Sequence, residues 1–184
     1  VVKNPTNDLF SLRYILDMGT DHDKELGVAV RYLEYLGTSK YDPTAFKQEL
    51  FKLGLGISVY VAEDRSYVTL TGLEKNLERG IELLEQLLAD AQPNDEALKG
   101  LVADIGKSRQ DQAKNKNSIF YEGLASYAKF GKVNAFNDVM PLARLEALTS
   151  AEMLERIHQL TSYKHNVFYY GKKSGTDYHV TRTI

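Results

Sequence analysis

The stretch LGVAVRYLEYLGTSKY, Leu26 to Tyr41, decides how the rest of the chain is read. Leu26, Ala29, Val30, Leu33 and Leu36 follow the i, i+3, i+4, i+7 spacing of one apolar helix face. Gly37 is placed to end that helix, because glycine takes the left-handed conformation of a C-cap without steric cost. Arg31, Glu34 and Tyr35 stand at i, i+3 and i+4, so their polar ends share one face and can meet at one point. That is the spacing of the helical zinc motif H-x-x-E-H, in which two imidazoles bind the metal and the glutamate acts as general base. Here Arg31 and Tyr35 occupy both imidazole positions and Glu34 is kept. Arginine holds its proton at physiological pH and has no lone pair to give. If this is such a metal helix, it has lost its metal.

The surrounding composition is that of a globular chain. Its 184 residues, 43% hydrophobic and 26% charged, suffice for one domain or at most two small ones. A net charge of -2 steers it toward neither nucleic acid nor an acidic membrane. No run approaches the ~18 apolar residues of a membrane span, and VVKNPTNDL lacks the basic and apolar regions of a signal peptide. A soluble protein is expected, with cytoplasm and periplasm both open. The chain starts without Met, as a processed or trimmed chain does. With no cysteine, disulfides and thiolate metal sites are excluded.

Outward from the central stretch, Leu9 to Asp17 is rich in aromatic and branched residues and predicts a strand. A turn follows from Met18 to His22. Asp21 is expected to cap the helix, with Asp23 and Glu25 favourably placed in its first turn. Downstream, Asp42-Pro43 starts a second helix with a cap and a first-turn proline. Its inner face is Phe46, Leu50 and Leu53, and Gly54 and Gly56 end it. Ile57 to Ala62 and Tyr67 to Thr71 predict a hairpin. Leu77, Ile81, Leu84 and Leu88 mark a strong helix. Asn94 caps another, whose apolar face is Leu98, Leu101, Val102 and Ile105. Residues 106–117 turn polar, and a further helix from Ile119 to Phe130 ends at Gly131. A loop covers 133–142. Thr149 opens a capping box for a helix through Leu160, and Val167 to Tyr170 is a last strand. The order predicts an α+β class: one two-layer domain over 1–171, with helices packed on one face of a mainly antiparallel sheet. Residues 172–184 are expected as a tail or linker toward a following domain.

Other signals read as structural. His22, His158, His165 and His179 contain no i, i+4 pair and no metal-motif spacing. Lys107, Arg109, Lys114 and Lys116, broken by Asp111, predict a solvated helix face, with a peptide-facing wall as the other reading. No G-x-S-x-G elbow is present, so a serine hydrolase has no support. The 12 tyrosines suit half-buried sheet positions or a peptide groove.

Taken together, the R-Y-L-E-Y helix, the G-T-S-K-Y turn, the F-x-x-E-L-x-x-L-G helix and the V-x-L-T-G-L strand resemble the pitrilysin/insulinase-type zinc metallopeptidases, family M16. Active halves of that family carry H-F-L-E-H and then a G-T turn, on a helix entered from a strand ending in G-[ST]. Here Gly19-Thr20, Arg31-Tyr32-Leu33-Glu34-Tyr35 and Gly37-Thr38 stand in those places. The position resembling the family's third ligand, a glutamate on a later helix, is Asp104 in LVADIGKSR. The resemblance runs from about Asn4 to Gly171.

Such proteases pair a zinc-bearing half with a half of the same fold that lacks the site, and the two enclose a peptide chamber. The resemblance implies a non-catalytic domain that forms the chamber's wall and scaffold. It implies no catalytic residue and no metal ligand in this chain, with Arg31, Glu34, Tyr35 and Asp104 as former zinc-site positions. Zinc would reside in the partner half, so that the parent protein is an enzyme and this chain alone is not. The implied partners are that half and a peptide substrate. The alternative is a non-peptidase scaffold, as in the respiratory-complex core subunits that resemble this family. If charge refills the old cavity, Arg31 is expected to pair with Glu34 and Asp104; a surface ion pair is the other reading.

Overall fold

The expected strand at Leu9 becomes the centre of the sheet. The computed structural model describes residues 1–132, 134 and 136–173, so residues 174–184 of the expected tail, and His179 with them, lie outside the described residues. Strand β2 (Leu9–Leu16) lies between β4 (Ser66–Leu73) and β5 (His165–Gly171), antiparallel to both. β3 (Leu55–Val61) pairs with β4 as the expected hairpin, and β1 (Val2–Lys3) adds a parallel pairing, to β5. The order is β1-β5-β2-β4-β3, which leaves β3 as an edge. Leu12 stands opposite Leu70 and Tyr169, and these three are buried together with Phe10, Leu16 and Val68. Their alternate neighbours Ser11, Arg13, Tyr67 and Thr71 lie on the other face, as period-two pleating requires.

The helices supply the second layer. Helix α1 (Lys24–Tyr32) buries Leu26, Ala29 and Val30 against this core. Its cap is Asp23, whose carboxylate accepts from the Glu25 N–H at 2.8 Å; the expected cap, Asp21, lies two residues too early. The α-helix also ends sooner than expected. A 3-10 turn over Leu33–Tyr35 replaces its last turn. Gly37 does not take a left-handed conformation. Close approach is what demands glycine there: a Cβ would lie 2.3 Å from the Tyr41 carbonyl oxygen and 2.8 Å from the Pro43 nitrogen. The chain folds back at this point into α2 (Pro43–Lys52), capped by Asp42 and ended by Gly54 at φ +62°.

Tyr32, inside the R-Y-L-E-Y run, is fully buried. Its hydroxyl accepts from the Asn94 N–H at 2.7 Å and lies 2.9 Å from the Asn94 carbonyl oxygen and 3.2 Å from Ser150 Oγ. It ties α1 to the starts of α4 (Asp95–Lys114) and α7 (Ser150–Gln159), while α3 (Leu77–Asp90) buries Leu83, Leu84 and Leu87. Thr149 and Glu152 form the expected capping box. The polar stretch from Gly106 does not leave the helix: α4 continues to Lys114, although its last buried residue is Ile105. A π-helical segment, Ser118–Leu124, runs into α5 (Ala125–Phe130), and neither contains a buried residue. A short α6 (Leu142–Glu146) precedes α7. No helix among the described residues is long and apolar enough to cross a membrane.

Candidate functional site

The R-Y-L-E-Y segment lies where α1 meets the edge strand. Arg31, in the last turn of α1, is exposed, and so is Asp104 on α4. Glu34 projects from the 3-10 turn, and its carboxylate accepts the Val59 N–H at 3.1 Å. Among the described residues β3 is an edge, so the glutamate gives this amide the acceptor that no neighbouring described strand provides. Tyr35 is partly exposed, with Lys47 Nζ of α2 5.7 Å from its ring centroid. Behind the segment is a cavity of about 280 Å³ lined mainly by apolar groups, among them Leu33, Leu36, Phe46, Leu50 and Ile57.

Among the described residues, no hydrogen bond or ion pair joins Arg31, Glu34, Tyr35 and Asp104 to one another. The charge-refilled cavity expected of Arg31, Glu34 and Asp104 is not formed. The physical reasons are local: the Glu34 carboxylate is engaged by the Val59 N–H, and in the 3-10 turn over Leu33–Tyr35, with 3.0 residues per turn, Tyr35 at i+4 leaves the face of Arg31. Nor do these positions fit zinc. Arg31 has no lone pair to offer, Glu34 is bonded to backbone, and among the described residues no three His, Asp or Glu side chains are arranged around a metal-sized point. The histidines are used elsewhere. His22 Nδ1 accepts from the Gly19 N–H at 3.2 Å, His165 Nδ1 lies 2.8 Å from the Tyr163 carbonyl oxygen, and His158 is exposed.

The basic run on α4 is not wholly solvated. Arg109 is half-buried and donates to the Met140 carbonyl at 2.6 Å, and burial lowers its pKa. Lys107, Lys114 and Lys116 are exposed.

The charge pairing that is present lies at the opposite end of α1. Arg144 Nε meets Glu25 Oε1 at 2.7 Å, and its other arm meets Glu152 Oε1 at 2.8 Å. Arg156 Nε meets Asp23 Oδ2 at 3.0 Å, and its second nitrogen packs against Glu25 Oε2. Hydrogen bonding to Glu25, then to Glu152, raises the Arg144 pKa. Arg144, followed by the Thr149 N–H and hydroxyl, pulls the Glu152 carboxyl down to about 2. Asp23 and Glu25 were visible in the sequence as helix-start residues. Their arginine partners lie 119 and 133 residues away, beyond any local spacing rule.

No protein-family profile matches the chain, and no curated protein matches it in sequence. Solved structures do match in fold. A peptidase M16 inactive domain from Pseudomonas fluorescens aligns over 96% of this chain and 44% of its own, with a TM-score of 0.75 and 17% identity. The first half of the periplasmic protease PqqL from Escherichia coli aligns over 93% of this chain and 39% of its own, with a TM-score of 0.71 and 14% identity. The ferredoxin protease FusC, in complex with Arabidopsis ferredoxin, aligns over 92% of this chain and 19% of its own, with a TM-score of 0.71 and 12% identity. The α+β architecture is therefore the one seen in M16 peptidases, an inactive domain among them, and the chain spans less than half of each of these proteins.

Proposed function

We propose that this chain is a non-catalytic M16-type domain that forms the wall and scaffold of a peptide-binding chamber, opposite a zinc-bearing half. One observation carries the reading. The M16 fold is kept, while the two positions read as imidazole ligands hold Arg31 and Tyr35 and the remaining glutamate is turned to the Val59 amide. In this reading Arg31, Glu34, Tyr35 and Asp104 are former zinc-site positions. The zinc, and the bond-breaking step with it, belong to the partner half. The short share of each structural neighbour that the chain covers fits a domain that works within a larger assembly.

The test is elemental analysis after dialysis, with a peptide-cleavage assay beside it. The wild-type chain should hold almost no zinc and cleave nothing. Wild-type zinc near one per chain sinks the non-catalytic reading. Adding the chain to a zinc-bearing M16 half that is inactive alone should restore cleavage of an unstructured peptide.

A further inference from the structure

A cavity at the start of α1 takes no part in the R-Y-L-E-Y site. It holds about 580 Å³ and is walled, among the described residues, by the turn before α1, the tip of the β3–β4 hairpin, α4, α5 and the loop that ends at Met140. Five of its lining residues are charged: Asp21, Lys24, Glu63, Arg109 and Asp138. Lys24 and Asp138 pair with each other and cancel. One guanidinium and two carboxylates are left to be answered.

Arg109 is half-buried, yet its bond is to a backbone carbonyl, that of Met140 at 2.6 Å. No carboxylate meets it among the described residues. Burial lowers its pKa, and no neighbouring acid raises it again. A charge taken from water is ordinarily paired, because a lone neutral bond does not repay the lost hydration. A guanidinium has five N–H donors, so donors remain here for a ligand, and their planar fork matches a carboxylate.

Asp21 and Glu63 stand side by side on the wall made by the turn and the hairpin, where the Asp21 N–H donates to the Glu63 carbonyl at 2.9 Å. Neither carboxylate has a hydrogen bond or ion pair among the described residues. They do not close on a metal, since among the described residues no three acids or histidines surround one point. Two carboxylates against one guanidinium leave the lining at a net charge of -1 (1 minus 2). A phosphate would meet more repulsion than attraction, and a bare cation would leave Arg109 unanswered. A ligand with one positive and one negative end answers both walls. Phe130, Val139 and Met140 add apolar surface to the same lining. The volume falls within the ~300–1,000 Å³ of small-ligand clefts, too small for a folded partner.

We infer that this cavity binds a small zwitterion, an amino acid or short peptide with both ends free, its carboxylate on Arg109 and its ammonium against Asp21 and Glu63. The site uses none of Arg31, Glu34, Tyr35 and Asp104, so it stands or falls independently of the non-catalytic assignment.

The experiment is calorimetric titration of the purified chain with trialanine at low ionic strength. Saturable one-to-one binding is expected. Amidating the peptide's carboxylate, or acetylating its ammonium, should each weaken binding at least about tenfold, as loss of a charged hydrogen bond does. Arg109→Gln should weaken trialanine by a similar factor without weakening the amidated peptide further, a pattern that a merely structural role would not produce. Asp21→Asn with Glu63→Gln should do the same for the ammonium, and both positions are exposed. Alanine carries the same two charges on one residue: tighter binding of alanine assigns a free amino acid, tighter binding of trialanine a peptide. If Arg109→Gln does not fold, the blocked peptides on the wild type still decide. No binding of either ligand at about 10 mM overturns the site. So does an amidated peptide that binds as well as the free one, or inorganic phosphate that binds as tightly as trialanine.

Discussion

The two ends of α1 make a sharp contrast. At the start of the helix, three carboxylates and two arginines from three separated segments interlock, and the Glu25 side chain at their centre is 16% exposed. At the other end, Arg31, Glu34 and Tyr35 are close in sequence and yet share no bond. Proximity along a helix supplies the opportunity for pairing. What makes the pair is a partner element packed over the charges, and α7 and the Arg144 segment provide that cover only at the start of α1.

The largest effect should come from the centre of the paired end. Glu25→Ala strands both arginines beside a partly buried surface. Breaking a fully buried pair costs about 3–5 kcal/mol, whereas charged hydrogen bonds contribute about 1.5–3. Arg144 and Arg156 keep 39% and 24% of their side-chain exposure, so water recovers part of the loss. A destabilisation of about 2 kcal/mol in urea unfolding is expected, growing smaller in high salt. A loss below about 0.5 kcal/mol would make this end as inert as the other.

The same network sets the acid response. The Glu152 carboxyl is depressed from 4.5 to about 2, chiefly by Arg144. A depressed folded pKa means that the unfolded chain binds the proton first, so stability falls with pH. The contribution is fully present above about 4.5 and is lost as pH drops from there through about 2. Glu152→Gln should flatten the stability curve in that window and leave the curve's shape above pH 5 unchanged. An unchanged slope in the acid window would show that Arg144 does not hold this carboxylate in solution.

The contrast also marks what the sequence could disclose. The apolar spacing of Leu77, Leu84 and Leu88, the Asn94 and Thr149 caps, and the branched runs of the β3–β4 hairpin are local, and the structure follows them. The G-T-S-K-Y turn was legible as a turn, but the reason for Gly37 was not. It depends on where the Tyr41 carbonyl returns, which is a property of the folded chain. The arginine partners of Glu25 were invisible for the same reason. The zinc-like spacing was read on an unbroken helix, and nothing in Leu33–Glu34–Tyr35 announces a 3-10 turn. Polar composition from Gly106 leaves no apolar period to mark where the helix stops. Lysine, arginine and glutamine are good helix formers, however, and the chain remained helical there without a core to cover it.

At the unpaired end the expected effects are small, and they differ between two neighbouring residues. Glu34→Ala removes one exposed charge-assisted bond and frees the Val59 N–H on the edge strand, so a loss of about 0.5–1 kcal/mol is expected. Arg31→Ala should change stability by less than about 0.5 kcal/mol, as exposed positions do when, as here among the described residues, no specific partner is present. The pair of variants in one urea series separates two accounts of this helix. If the old metal site had been refilled by charge, Arg31 would be its centre and the costlier residue to lose. If the site was dismantled and its glutamate reassigned to the strand edge, Glu34 is the costlier. The Val59 bond favours the second order, and a loss above about 1 kcal/mol on Arg31→Ala would reverse it.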